Sequence, residues 1–98
     1  MWFSALFQRR RPRLDHLTVH FYTRRGCHLC DEAWALLEEV RGRFGFMLTA
    51  VDVDTNPELA KQYGDCVPVL TVNGKVRFRG KVNRVLLERL FAAERRWG

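Results

Sequence analysis

The feature that most constrains the fold of this chain is the position of two closely spaced cysteines, in Cys27-His28-Leu29-Cys30. An apolar run rich in β-branched and aromatic residues, Leu17–Tyr22, precedes them and predicts a strand. Apolar residues at three- and four-residue spacing follow them and predict a helix over residues 28–40. The dithiol therefore falls where a strand ends and a helix begins.

A dithiol in that position has a specific chemical meaning. The first N–H groups of a helix lack internal partners, and the helix dipole adds partial positive charge there. Because both effects favour a thiolate, we expect a lowered pKa at Cys27 and predict that this residue is the nucleophile. Cys30 lies one helical turn further on, within reach of a disulfide, and is predicted to be the resolving thiol. His28 is a candidate substrate-binding residue, and it either favours the thiolate when it is protonated or is a solvated surface residue.

The rest of the sequence predicts the element order β-α-β-α-β-β-α. A second strand is expected over residues 46–53, a short helix over residues 57–63 and a last helix over residues 83–95. Between them a hairpin turns at Asn73-Gly74, a pair suited to two consecutive positive φ angles. Crossover helices imply parallel strands at the start, and the hairpin adds an antiparallel strand. The expected class is α/β, with a mixed four-stranded sheet and helices on both faces.

Two details of the helices are also predicted. Gly42 and Gly45 are expected to end the first helix, because glycine is a poor helix former. One side of the last helix is expected to be apolar and to face the core. The residues of that side are Val82, Val85, Leu86, Leu90 and Ala93.

Three segments of the chain resemble the glutaredoxin branch of the thioredoxin superfamily. They are Tyr22–Cys30 with its CxxC pair, then Cys66-Val67-Pro68, then Val72–Lys75 in the hairpin, and the resemblance covers the chain from about Leu17 to its end. It implies a thioredoxin-like fold and thiol–disulfide oxidoreductase activity. It also implies a cis bond before Pro68 that faces the dithiol, and a Val67 backbone that pairs with an extended substrate segment. Glutathione is the candidate reductant, and no resident cofactor is expected.

The sequence departs from the usual glutaredoxin pattern at three positions. Most family members carry Thr where Cys66 stands, and Lys where Arg24 stands. Arg24 is therefore a predicted binding group for a substrate carboxylate. After the hairpin, Arg79–Asn83 contains one glycine and no acid, so the acid that holds the amino group of glutathione in the family has no counterpart.

Two other functions stay open at this point. Cys27, Cys30 and Cys66 could ligate a metal or share an Fe–S cluster between two chains, although structural zinc usually takes four ligands. The chain could also be a non-catalytic adaptor. Three roles stay open for Cys66. It is a third thiol that pairs with Cys27, or a metal ligand, or a small apolar residue that fills space in the core.

The positive charge of the chain is concentrated near its start. The net charge is +6, and the stretch 1–13 holds four of the 17 basic residues and no acidic one. The remaining 13 basic and 11 acidic residues give +2. That near balance argues against nucleic-acid binding by the domain.

The stretch 1–13 is predicted to be a flexible basic tail, and residues 14–98 to form one domain. The tail does not have the charge order of a signal peptide and is too short to span a bilayer. Contact with a membrane surface is an alternative, since aromatic residues are followed by arginines. Three cysteines cannot form a fully paired secreted framework, so a cytoplasmic location is expected. The expected form is a monomer that acts on a protein or small-molecule disulfide.

Overall fold

The computed structural model describes residues 14–97. In chain order these form strand β1, helix α1, strand β2, a single 3-10 turn, helix α2, the hairpin of β3 and β4, and helix α3. Their bounds are Thr18–Thr23 for β1, His28–Phe44 for α1, Met47–Asp52 for β2, Val53–Thr55 for the turn, Pro57–Tyr63 for α2, Val69–Val72 for β3, Lys75–Arg79 for β4 and Arg84–Trp97 for α3. The predicted element order is confirmed.

The four strands form one mixed sheet in the order β2-β1-β3-β4. β1 runs parallel to β2, as a crossover through α1 requires, and antiparallel to β3. β3 and β4 are antiparallel neighbours. Asn73 and Gly74 turn the hairpin with φ of 51° and 82°, as the sequence predicts. The expected α/β class and mixed four-stranded sheet are therefore correct.

Two apolar clusters lie on opposite sides of this sheet. Alternate strand residues face opposite sides, and Phe21 and Leu70 belong to the larger cluster, which α1 and α3 cover. Tyr22 and Val69, their immediate neighbours, belong to the smaller cluster with Tyr63 of α2. Helices thus pack on both faces of the sheet, as expected.

Helix α1 is longer than predicted. Gly42 does not interrupt it, and the helix runs to Phe44 before Gly45, at φ of 78°, closes it with an N–H to the Arg41 carbonyl. A glycine inside a helix costs about 1 kcal/mol relative to alanine. The neighbouring Val40 and Phe44 are buried in the larger cluster, and this packing outweighs the unfavourable propensity of Gly42.

Helix α3 buries a different face from the predicted one. Val85 and Leu86 are more than half exposed, whereas Leu87 and Phe91 are fully buried. The prediction is correct for Val82 and Leu90, which are buried, and wrong for Val85 and Leu86, because Leu90 fits both possible stripes at helical spacing. Aromatic packing decides between them, since the Phe91 ring stacks on Phe46 with centroids 4.1 Å apart.

The predicted tail, residues 1–13, lies outside the described residues, and so does its alternative role at a membrane surface. Between residues 14 and 97, no helix is both long enough and apolar enough to cross a bilayer.

Candidate active site

Cys27 occupies the N-cap position of α1. Its backbone is extended, with φ −92° and ψ 108°, and a turn at Gly26 carries the chain from β1 to this point. The Cys27 sulfur accepts a hydrogen bond from the backbone N–H of Cys30 at 3.1 Å, and the Cys27 carbonyl accepts the N–H of Asp31 at 3.2 Å. The sulfur therefore lies where an orphan helix amide can stabilise a thiolate, as the sequence predicts.

Cys27 and Cys30 are at disulfide distance, with their Cα atoms 5.1 Å apart. Their exposure differs sharply. Cys30 is 1% exposed and belongs to the larger apolar cluster, whereas Cys27 is only half-buried against that cluster. Cys27 is therefore the cysteine of the pair that solvent reaches, and Cys30 is enclosed by the protein.

The Val67–Pro68 peptide bond is cis and lies at the same end of the sheet as the dithiol. Val69, the next residue, pairs with Tyr22 near the end of β1 from which the chain passes to Cys27. The carbonyl of Pro68 accepts the Gly80 N–H at 2.8 Å, which anchors this loop. Within residues 14–97, the peptide groups of Val67 have no backbone hydrogen-bond partner.

Arg24 is held by partners inside the chain, which differs from its predicted role. Its guanidinium makes a bidentate pair with Asp54, through Nε at 3.0 Å and Nη2 at 2.9 Å. A third donor, Nη1, reaches the Gly64 carbonyl at 2.9 Å. The donors expected to face a substrate carboxylate thus tie the β1–α1 connection to both ends of the segment that contains α2.

This pair shifts the acidities of both groups. The hydrogen bond from Arg24 lowers the pKa of Asp54 below its ordinary value, and the same bond raises the pKa of Arg24. Gly64 allows the guanidinium to approach, because a Cβ added there would stand 2.7 Å from the Arg24 Nη2. Sequence analysis missed Asp54 as the partner, since the two residues are separated by 30 positions and no local pattern connects them.

His28 projects into solvent beside the dithiol. Its side chain is 90% exposed, and its Nε2 lies 3.5 Å from a carboxylate oxygen of Glu32 one turn along α1. The imidazole is therefore directed to solvent and to Glu32. Of the two roles left open by the sequence, this geometry favours the solvated surface residue.

Cys66 is a free, half-buried thiol. It packs against the smaller apolar cluster, and its sulfur lies 3.8 Å from Nη1 of Arg79. No group of three His, Cys, Asp or Glu side chains in the described part of the chain is placed to hold a metal ion. The ligand set of Cys27, Cys30 and Cys66 considered from the sequence is therefore not assembled in this fold.

A groove lined in part by Leu29 of the dithiol motif is the site feature that sequence analysis missed. It lies between α1 and the connection from β4 to α3, with a volume of about 300 Å³. Its apolar floor consists of Leu29, Ala33, Leu36 and Val82. Leu29 is 43% exposed. The position of this leucine between the two cysteines was the signal in the sequence that could have indicated the groove.

The fold and the site together define a thioredoxin-fold protein with a CxxC pair at a helix start and a cis-proline loop at the same sheet edge. Within that class, residues 18–92 match the family model of the glutaredoxin-like domain. The match covers most of the chain, so the chain belongs to the glutaredoxin-like domain family.

Similar proteins agree with this assignment without adding an activity. An uncharacterised protein of Mycobacterium tuberculosis is 34% identical over 62 residues, which are 58% of this chain and 64% of the relative. The chain thus spans less than two thirds of the length of the curated relatives it matches. An X-ray structure of target protein XcR50 from X. campestris has a TM-score of 0.65 at 28% identity, covering 78% of this chain and 97% of that one. A mutant thioredoxin from Halobacterium salinarum shares the fold, with a TM-score of 0.63 at 22% identity, covering 79% and 73%.

Proposed function

We propose that this protein is a thiol–disulfide oxidoreductase in which Cys27 is the nucleophile and Cys30 the resolving thiol. The Cys27 thiolate attacks one sulfur of a substrate disulfide, forming a mixed disulfide while the other substrate sulfur leaves and takes a proton. Cys30 loses its proton and attacks the Cys27 sulfur, which releases the second substrate thiol. The substrate gains two electrons and two protons, and the protein is left as the Cys27–Cys30 disulfide.

One observation carries this proposal: an accessible sulfur at a helix N-cap has a buried partner thiol at disulfide distance. The backbone N–H of Cys30, 3.1 Å from the Cys27 sulfur, is the donor that would stabilise both the attacking thiolate and the thiolate released during resolution. The burial of Cys30 supports its role as the second, internal nucleophile. The peptide groups of Val67, which have no backbone hydrogen-bond partner among residues 14–97, support the role of that residue as a strand-like partner for the substrate backbone, with Pro68 fixing the loop.

Two cysteine variants test the proposal. In a dithiothreitol- or glutathione-coupled assay, Cys27→Ser is expected to abolish disulfide reduction, because no nucleophile remains. Cys30→Ser is expected to accumulate a mixed disulfide through Cys27, visible as a mass increase that a reductant removes. Full reductase activity in Cys27→Ser would disprove the assignment.

The reductant, the partners and the cellular compartment are proposed on chemical grounds. A thiol of the glutathione class is the proposed reductant, since exchange at Cys27 needs only an electron-donating thiol, and no resident cofactor is required. The proposed partners are protein or small-molecule disulfides, with no nucleic acid involved. A reducing compartment such as the cytoplasm suits a protein that must return to its dithiol form, and we propose that it works there as a monomer.

A further inference from the structure

The charged residues around the apolar groove differ in how they are paired. Arg84, at the start of α3, is bound by Glu39 and also lies 3.5 Å from Glu88. Glu32, on the α1 side, lies 3.5 Å from His28. Lys81, on the opposite side, is exposed and forms no ion pair with any residue between positions 14 and 97. Lys81 is thus the cation of this groove that is available to a bound partner.

The groove is suited to a polypeptide because of its floor. Ala33 and Val82 are buried there, Leu36 is half-buried and Leu29 is exposed, so an apolar side chain laid on the floor would remove further apolar surface from water. The side-chain oxygen of Asn83 is already committed to the N–H of Leu86 at 3.0 Å. Polar recognition at this edge is therefore left mainly to Lys81.

We propose that the apolar groove binds the polypeptide beside a substrate cysteine, with an apolar residue on the floor and an acidic residue at Lys81. This proposal rests on the proposed function, because it assigns a substrate class to the same dithiol. The exchange at Cys27 is unchanged, and the groove adds selectivity among disulfides. Opposite charges across a docking surface raise the association rate and disfavour partners of the wrong charge.

The test uses three synthetic peptides, each closed by one disulfide and identical except at two adjacent residues: Leu-Asp, Leu-Lys or Ser-Asp. Reduction by the fully reduced protein is followed by acid quenching and chromatography. Each rate is divided by the rate of the same peptide with dithiothreitol, because neighbouring charges also change the intrinsic reactivity of the cysteine. The normalised rate for Leu-Asp is expected to exceed that for Leu-Lys about three- to fivefold at low salt, and also to exceed that for Ser-Asp.

Charge variants identify the residue responsible. Lys81→Glu is expected to reverse the preference between Leu-Asp and Leu-Lys, and Lys81→Gln to remove it. Lys75→Glu is the matched control. It changes an exposed lysine of the same type at the opposite end of the sheet, where Lys75 pairs with Val72, and is expected to leave the preference intact. Adding 0.5 M salt is expected to shrink the preference, because exposed charges are screened.

Other outcomes separate failure of this inference from failure of the proposed function. Reduction of the neutral disulfide of 2-mercaptoethanol reports the dithiol chemistry alone, and its absence would overturn both proposals. Normal reduction of that compound with equal rates for the three peptides would overturn only the groove. Faster reduction of oxidised glutathione than of Leu-Asp, with the same dependence on Lys81, would also overturn a polypeptide occupant.

Discussion

At the scale of single residues, the Cys27 thiol and the Arg24 guanidinium differ in their hydrogen-bond partners, although both are partly exposed near the same end of the sheet. The Cys27 sulfur accepts an N–H at the start of α1, whereas Arg24 donates hydrogen bonds to Asp54 and to the Gly64 carbonyl. Both arrangements follow from the available donors and acceptors. A helix N-terminus has unpaired N–H groups that a sulfur can accept, and a carboxylate has two acceptor oxygens that match a planar guanidinium. Arg24 therefore positions the β1–α1 connection that carries Cys27.

Cys66 gives a prediction at the same scale. Its sulfur packs on the smaller apolar cluster and lies near Arg79, and the metal-ligand set that would have included it is not assembled. Cys66→Ser is therefore expected to keep kcat/KM for disulfide reduction within about twofold of the wild type. The comparison needs enzyme of equal folded fraction, checked by circular dichroism. A loss of activity as large as that of Cys27→Ser would show instead that the third thiol takes part in exchange.

At the scale of elements, the orientation of α3 is decided by its contacts with α1 and the sheet. Phe91 stacks on Phe46, and Arg43 pairs with Glu88 across the two helices at 2.7 Å. Rotating the helix to bury Leu86 would break the aromatic stack and separate that ion pair. The apolar packing carries most of the energy, since the ion pair is largely exposed.

A pair of alanine substitutions in α3 tests this orientation. Leu87 is 0% exposed and Leu86 is 53% exposed, although they are neighbours of the same residue type on one helix. Leu87→Ala is expected to lower the free energy of unfolding by about 2–5 kcal/mol, because it leaves a cavity. Leu86→Ala is expected to change it by about 0.5 kcal/mol or less. Urea denaturation measures both, and a larger loss in Leu86→Ala than in Leu87→Ala would mean that the buried face is the one predicted from sequence.

At the scale of the whole molecule, two exposed carboxylates that join separate elements contribute to the pH dependence of stability. Arg24 lowers the pKa of Asp54 through a hydrogen bond that joins the β1–α1 connection to the turn after β2. Arg84 lowers the pKa of Glu39 in the same way and joins α3 to α1. Folding therefore lowers the proton affinity of both carboxylates, so the unfolded chain binds more protons in the acid range.

The lowered pKa values of Asp54 and Glu39 set the direction in which folding stability changes with pH. The contribution of these groups is complete above their unfolded pKa values of about 4 and is lost as pH falls through the lower folded values. Tm is therefore expected to be steady from about pH 7 to pH 5 and to fall below about pH 4. Asp54→Asn and Glu39→Gln are each expected to flatten that fall, whereas Asp65→Asn, which removes a nearby charge without a hydrogen bond, should change it less. Calorimetry from pH 2 to 7 measures this, and an unchanged slope in a variant that combines Asp54→Asn with Glu39→Gln would contradict the assignment.

The sequence determined the order of elements, the position of the dithiol and the hairpin turn, because each depends on residues close together in the chain. Helical spacing places Cys27 at the start of α1, and Asn73-Gly74 supplies the positive φ angles of the turn. The tertiary structure alone decided that α1 continues through Gly42 and that Arg24 binds Asp54. It also decided which face of α3 is buried and that a groove opens between α1 and the connection from β4 to α3. These features depend on packing between residues far apart in sequence, whose summed energy exceeds local propensity and has no signature in a short window.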